Sequence, residues 1–140
     1  MATEGRALIQ KVHHVGIAVR DLEAALRFYR DLLGLHVHQQ AVVEEQGVKA
    51  ALLTVGESEI ELLEPTGPDT PVGRFLARRG EGLHHLCFQT DDVARELEAL
   101  KAKGVELVDR EPRRGLAGLV CFLHPRAHHG VLVELTQPRD

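Results

Sequence analysis

A chain of 140 residues that is 44% hydrophobic and 27% charged has the make-up of one globular domain, long enough to bury a core without disulfides or metal staples. A net charge of −4 gives no basis for binding nucleic acid or an acidic membrane surface, which leaves small molecules as the expected partners. No segment approaches the roughly 18 apolar residues of a membrane span, and the start, MATEGRALIQ, lacks the apolar run of a secretion signal, so a cytoplasmic protein is expected. Cys87 and Cys121 both fall in strand-like apolar runs and read as buried free thiols.

In chain order, Val12 to Val19 is β-branched and apolar and reads as a strand, ended by Asp21 as a helix N-cap. From Leu22 to Leu33 the residues Leu22, Ala25, Leu26, Tyr29, Leu32 and Leu33 recur at helical spacing, and Gly34 closes the segment. Three strands follow, Leu35 to Val43, Val48 to Val55 and Ser58 to Glu64, punctuated by Glu44–Gly47, Gly56-Glu57 and Pro65. A turn-rich linker, TGPDTP, leads into a short helix from Val72 to Arg79. The order then repeats. A strand from His84 to Thr90 meets an Asp91-Asp92 cap, a helix from Val93 to Lys103 ends at Gly104, and strands are expected near Val105–Asp109, Leu119–Leu123 and Val131–Thr136.

The repeat predicts an α+β fold, two tandem βαβββ modules forming a curved mixed sheet around a metal-binding cavity. Module one covers about 12–65, the linker 66–82 and module two about 83–137, all within a single domain. The repeat also duplicates ligand-type residues. His14 and His85 are separated by 71 residues, Glu61 and Glu134 by 73. Side chains alternate along a strand, so His14 and Gly16 share one face while Val15 and Ile17 share the other. In the same way His85 opposes Leu86 and Phe88, Glu61 opposes Ile60 and Leu62, and Glu134 opposes Val133 and Leu135. A carboxylate in an apolar strand is costly unless something offsets its desolvation, and a divalent metal does so. Any one of these residues alone is more often structural; four at matching positions of two copies point to a two-His, two-carboxylate set for a borderline divalent cation. His13, His84, His128 and His129 fall outside this register and read as neighbours, loop residues or groups that support the ligands from behind, and His36 and His38 as solvated strand residues.

The strings HVGIAVRDLEAALRFY, VGESEIELLEPTGPDTPVGRFL, RGEGLHHLCF and FLHPRAHHGVLVELTQ cover nearly the whole chain. On them the sequence resembles the vicinal oxygen chelate superfamily, and within it the methylmalonyl-CoA epimerase family. The resemblance implies one divalent metal ion per chain, of Co, Mn, Ni, Zn or Mg, held by His14, Glu61, His85 and Glu134, and an acyl-CoA substrate and a homodimer. Because Glu61 and Glu134 are near-equivalent in the two copies, they are expected to act as acid and base as well as ligands; Gln46, in the EQGV string, reads either as a polar group facing substrate or as a turn residue before the third strand. Some family members carry a glutamate three residues after the glycine of that string; here the place is Ala50. The expected reaction removes the α-proton beside a thioester, passes through an enolate and returns a proton on the opposite face. Rival readings are a lactoylglutathione lyase-like isomerase, a dioxygenase, and a non-catalytic module that binds a small molecule.

Overall fold

The computed structural model describes residues 9–116 and 118–138; the side chains of Ala127 and His128 lie outside that description, and with them the reading of His128. The described residues form two compact units, one of His14–His85 and one of residues 9–13 with 86–138. Strands β1 (Ile9–Ala18) and β5 (Gly82–Thr90) straddle the division.

The His14–His85 unit continues from β1 through α1 (Leu22–Leu26), β2 (His36–Val43), β3 (Val48–Val55), β4 (Ser58–Pro65) and α2 (Pro71–Arg79). Its strands lie in the order β2-β3-β4-β1, with β1 parallel to β4 and the other neighbours antiparallel. The other unit carries the end of β5, α3 (Val93–Ala102), β6 (Arg113–Arg114), β7 (Gly118–Leu123) and β8 (Val133–Pro138). It repeats the plan: β5 runs parallel to β8, and β7 is antiparallel to both β8 and β6. A parallel pair cannot be closed by a tight hairpin and needs a crossover, which the helix and two further strands supply. Each module is βαβββ with mixed pairing, the α+β class expected.

The duplication extends to the helix starts. Asp21 accepts from Ala24 N at 3.1 Å and Asp92 from Arg95 N at 3.1 Å, each an N-cap. A second acceptor comes from the last strand of each module: Glu64 takes Leu22 N at 2.8 Å, and Gln137 takes Val93 N at 3.0 Å. Four N–H groups open every α-helix without a helical partner; in each helix these paired acceptors satisfy two of them and tie one to the strand beneath. Under α1, Leu22 and Leu26 pack on Ala51, Leu53 and Leu62, with Ile17 and Ile60 beside them. Under α3, Val93 and Leu97 pack on Cys121, Leu123, Val133 and Leu135, with Phe88 beside them. By strand alternation, the side of β1 and β4 that carries His14, Gly16 and Glu61 faces away from α1.

Two expected elements differ. The first helix does not run as an α-helix from Leu22 to Leu33: it widens into a π-helical stretch over Arg27–Leu32, with Leu33 N bonded to Phe28 O at 2.9 Å. Wider turns break the 3.6-residue stripe, so Leu32 and Leu33 leave the core and stand 78% and 55% exposed. The strand expected near Val105–Asp109 is reduced to one bridge, Leu107 with Leu123, and the sixth strand is Arg113–Arg114 instead. Here the Asp109 carboxylate accepts Phe122 N at 2.8 Å, taking a donor that a backbone ladder would use.

Glu64→Ala and Gln137→Ala should each lower stability by about 1 kcal/mol, the usual cost of a lost helix cap. Lys49→Ala, which removes only the half-exposed partner of Glu64 3.4 Å away, should change it by less than about 0.5 kcal/mol. Urea denaturation of the three variants checks both.

Candidate metal centre

Three of the four expected ligands meet inside the His14–His85 unit. His14 stands on β1, buried to 5% exposure, and His85 on β5, buried to 6%. Their Nε2 atoms approach to 3.0 Å, and the rings meet edge to face. Glu61 reaches them from β4, where its Cα is the partner of Gly16 on β1. Its Oε1 lies 3.3 Å from His14 Nε2 and 3.3 Å from His85 Nε2, and its side chain keeps only 13% exposure.

Two imidazole nitrogens and a carboxylate oxygen thus turn toward one point. With metal–nitrogen bonds of about 2.1 Å, ligand atoms stand about 3.0 Å apart for a right-angled pair and about 3.4 Å for a tetrahedral one. The three separations, 3.0, 3.3 and 3.3 Å, lie on that scale. The donor chemistry fits as well, since nitrogen with carboxylate oxygen suits borderline divalent ions. Burial pushes the Glu61 carboxyl up; hydrogen bonds from His14 and His85, with the charge those rings carry when protonated, outweigh it and hold Glu61 well below the ordinary carboxylate range.

His85 is held at its other nitrogen too. His84 Nδ1 lies 2.9 Å from His85 Nδ1, and the His84 ring meets Phe75 of α2 edge to face at 4.9 Å. His84 therefore braces the His85 ring from behind, at the nitrogen that faces away from His14 and Glu61. His38 is exposed, as read, but its Nε2 pairs with the Glu59 carboxylate. His36 is exposed.

Glu134 belongs to the other unit. It is buried to 7% exposure on β8, with Cα partners Cys87 on β5 and Phe122 on β7. That register copies Glu61: each glutamate lies opposite the residue two places after its module's histidine, Gly16 after His14 and Cys87 after His85. Nearby, burial pushes the Cys121 thiol up to about 12, with the carboxylates of Asp109 and Glu134 adding to the rise. Gln46 is half-buried in a 3-10 turn, Glu44–Gln46, which Gly47 ends at φ 67° before β3. Ala50, where some relatives carry a glutamate, is buried on β3 with Leu63 as its β4 partner.

This fold is that of a known class. The chain belongs to the glyoxalase/bleomycin resistance protein/dioxygenase superfamily, whose family model matches residues 13–122. Among its relatives is the ethylmalonyl-CoA/methylmalonyl-CoA epimerase of Cereibacter sphaeroides, 38% identical over 93% of this chain and 99% of that one. A solved variant of Streptomyces coelicolor methylmalonyl-CoA epimerase in complex with 2-nitronate-propionyl-CoA is 45% identical, with a TM-score of 0.87 over 91% of this chain and 93% of that one. The structure of methylmalonyl-CoA epimerase from Mycobacterium tuberculosis is 34% identical, with a TM-score of 0.91 over 100% of this chain and 97% of that one.

With Cys87 and Cys121 buried and the Cys121 thiol strongly protonated, neither should react with Ellman's reagent in the native protein at neutral pH. Both should react once guanidinium unfolds the chain, and a fast-reacting native thiol would contradict the burial described.

Proposed function

We propose that this chain is a methylmalonyl-CoA epimerase, an isomerase that interconverts (R)- and (S)-methylmalonyl-CoA by removing and returning the α-proton. The observation that carries the reading is the duplicated register, which sets a glutamate opposite the residue two after each histidine, in a chain similar over nearly its full length to epimerases of this substrate. On this reading His14, Glu61, His85 and Glu134 hold one divalent ion, of Co, Mn, Ni, Zn or Mg. When bound, that ion acts as a Lewis acid, lowering the cost of the negative charge that develops on the thioester oxygen.

The protein's own residues manage the proton. Breaking the α C–H bond sends its proton to one carboxylate and its electron pair into the thioester carbonyl, giving the enolate; a proton from the opposite face then restores the C–H bond with inverted configuration. We assign the two carriers to Glu134 and Glu61, because two-face chemistry needs two groups and the repeat supplies a matched pair; for Glu61 the role requires the ion in place, since Nε2 atoms that bind it no longer donate the hydrogen bonds that hold this carboxyl low. One carboxylate ends the turnover protonated and the other ionised, and exchange with water resets them. Ala50 puts a methyl group where some relatives have a carboxylate, which leaves the pair Glu61 and Glu134 to supply both faces. Gln46, half-buried in its turn, is read as a polar group facing substrate. A single domain over residues 1–140, a homodimer and a cytoplasmic location complete the proposal; no helix among the described residues is long and apolar enough to cross a membrane.

One observation favours a second reading. A glutamate rather than a glutamine at position 61 suits a lactoylglutathione lyase-like isomerase, which moves a proton within a hemithioacetal.

Incubating one methylmalonyl-CoA epimer with the protein in deuterated water should place deuterium at the α-carbon and yield both epimers, and a chelator should stop it. No exchange with methylmalonyl-CoA, together with turnover of the glutathione hemithioacetal of methylglyoxal, would transfer the assignment to the second reading. Glu134→Ala should abolish the exchange. His14→Ala and His85→Ala should lose stoichiometric metal by elemental analysis, while Glu61→Gln, which keeps one oxygen donor, should retain it with lower affinity.

A further inference from the structure

We infer that Gly16 is the seat of the His85 imidazole and that His84 clamps it there, so that these two are positioning residues which set the affinity of the centre for its ion. This rests on the metal reading above.

A glycine inside a strand weakens it unless its backbone or its missing side chain is needed. Gly16 is not among the glycines whose φ lies in the left-handed region, so its backbone makes no such demand. Its missing side chain is what matters. A Cβ at position 16 would stand 2.2 Å from His85 Cε1, 2.3 Å from Nδ1 and 2.8 Å from Nε2, far inside van der Waals contact with the ring. The imidazole of His85 therefore occupies the space that the side chain of residue 16 would fill.

That space is the one between the other two donors. Gly16 follows His14 by two residues on the same face of β1, and its Cα partner on β4 is Glu61. A ring seated over Gly16 is flanked by His14 along the strand and by Glu61 across it, which is how Nε2 comes to stand 3.0 Å from one and 3.3 Å from the other. Contact over Gly16 leaves the ring free to turn about its own bonds. The 2.9 Å contact of Nδ1 with His84 removes that freedom, and the edge of Phe75, 9% exposed on α2, backs His84 in turn. A ligand fixed at its far nitrogen needs less ordering when the ion binds.

Co(II) is the probe, its affinity measured by competition with a chromophoric chelator and its coordination by the visible d–d bands. Gly16→Ala should weaken Co(II) binding roughly tenfold to a hundredfold and alter the bands. The same variant should lower the thermal midpoint of the metal-free protein. In a His85→Ala background the added Cβ has room, so Gly16→Ala should there change neither the midpoint downward nor the already weakened Co(II) affinity. His84→Ala should weaken Co(II) binding about tenfold, and His84→Gln, whose amide can donate or accept, should recover part of it. Wild-type Co(II) affinity and bands in Gly16→Ala would overturn the inference, as would an equal midpoint loss in both backgrounds. Failure of the wild-type protein to bind Co(II) would instead remove the metal reading on which the inference stands.

Discussion

A carboxylate drawn out of water between two imidazoles is the arrangement on which this molecule turns. Desolvating an ionised glutamate is expensive, and in an apolar strand nothing local offsets it. At Glu61 the offset comes from His14 and His85, residues 47 and 24 positions away along the chain, so the charge is affordable only once β1, β4 and β5 are in place. A divalent ion, as proposed, extends the same logic: held by the two imidazole nitrogens and the carboxylate, it would offset the buried anion in place of the hydrogen bonds. The stability of that unit and its chemistry are then a single problem.

Duplication is the economical way to build such a set. A βαβββ module forces its first and last strands to lie parallel, because the helix and two strands between them carry the chain back to its starting edge. A histidine on the first strand and a glutamate on the last then fall near one another without further design. Running the module twice gives two histidines and two glutamates in the same register. The helix caps show how literal the copying is. Asp21 and Asp92 cap from within the chain, while Glu64 and Gln137 cap from the end of the last strand, with a carboxylate in one copy and an amide in the other. Geometry was kept where charge was not.

Symmetry is relaxed where the site needs it. Residue 16 is glycine in the first copy, and its counterpart in register, opposite Glu134, is Cys87. Only the glycine leaves room for an imidazole ring over the strand. The first helix widens into a π-helical stretch that α3 does not have, and the second strand of the second module shrinks to two residues where Asp109 bonds β7 with its side chain. Each departure trades a regular backbone pattern for a specific local contact.

Much of this was written in one dimension. Alternation along a strand has period two whatever surrounds it, so the sequence alone determined that His14, Glu61, His85 and Glu134 each stand opposite the aliphatic residues of their strands. The matched spacings revealed the duplication and with it the class of donors. What periodicity carries poorly is a change in the period itself: Leu32 and Leu33 fit a helical stripe on paper, and only the π-helical turns put them outside it. What it cannot carry at all is the meeting of residues far apart in the chain. Tertiary structure decided that two Nε2 atoms and one carboxylate oxygen approach within 3.3 Å, that the His85 ring takes the place of a side chain at Gly16, and that His84 turns back to hold it. Those distances follow from cross-strand register and from how closely two backbones approach, quantities fixed by packing between segments and absent from the order of residues within any one of them.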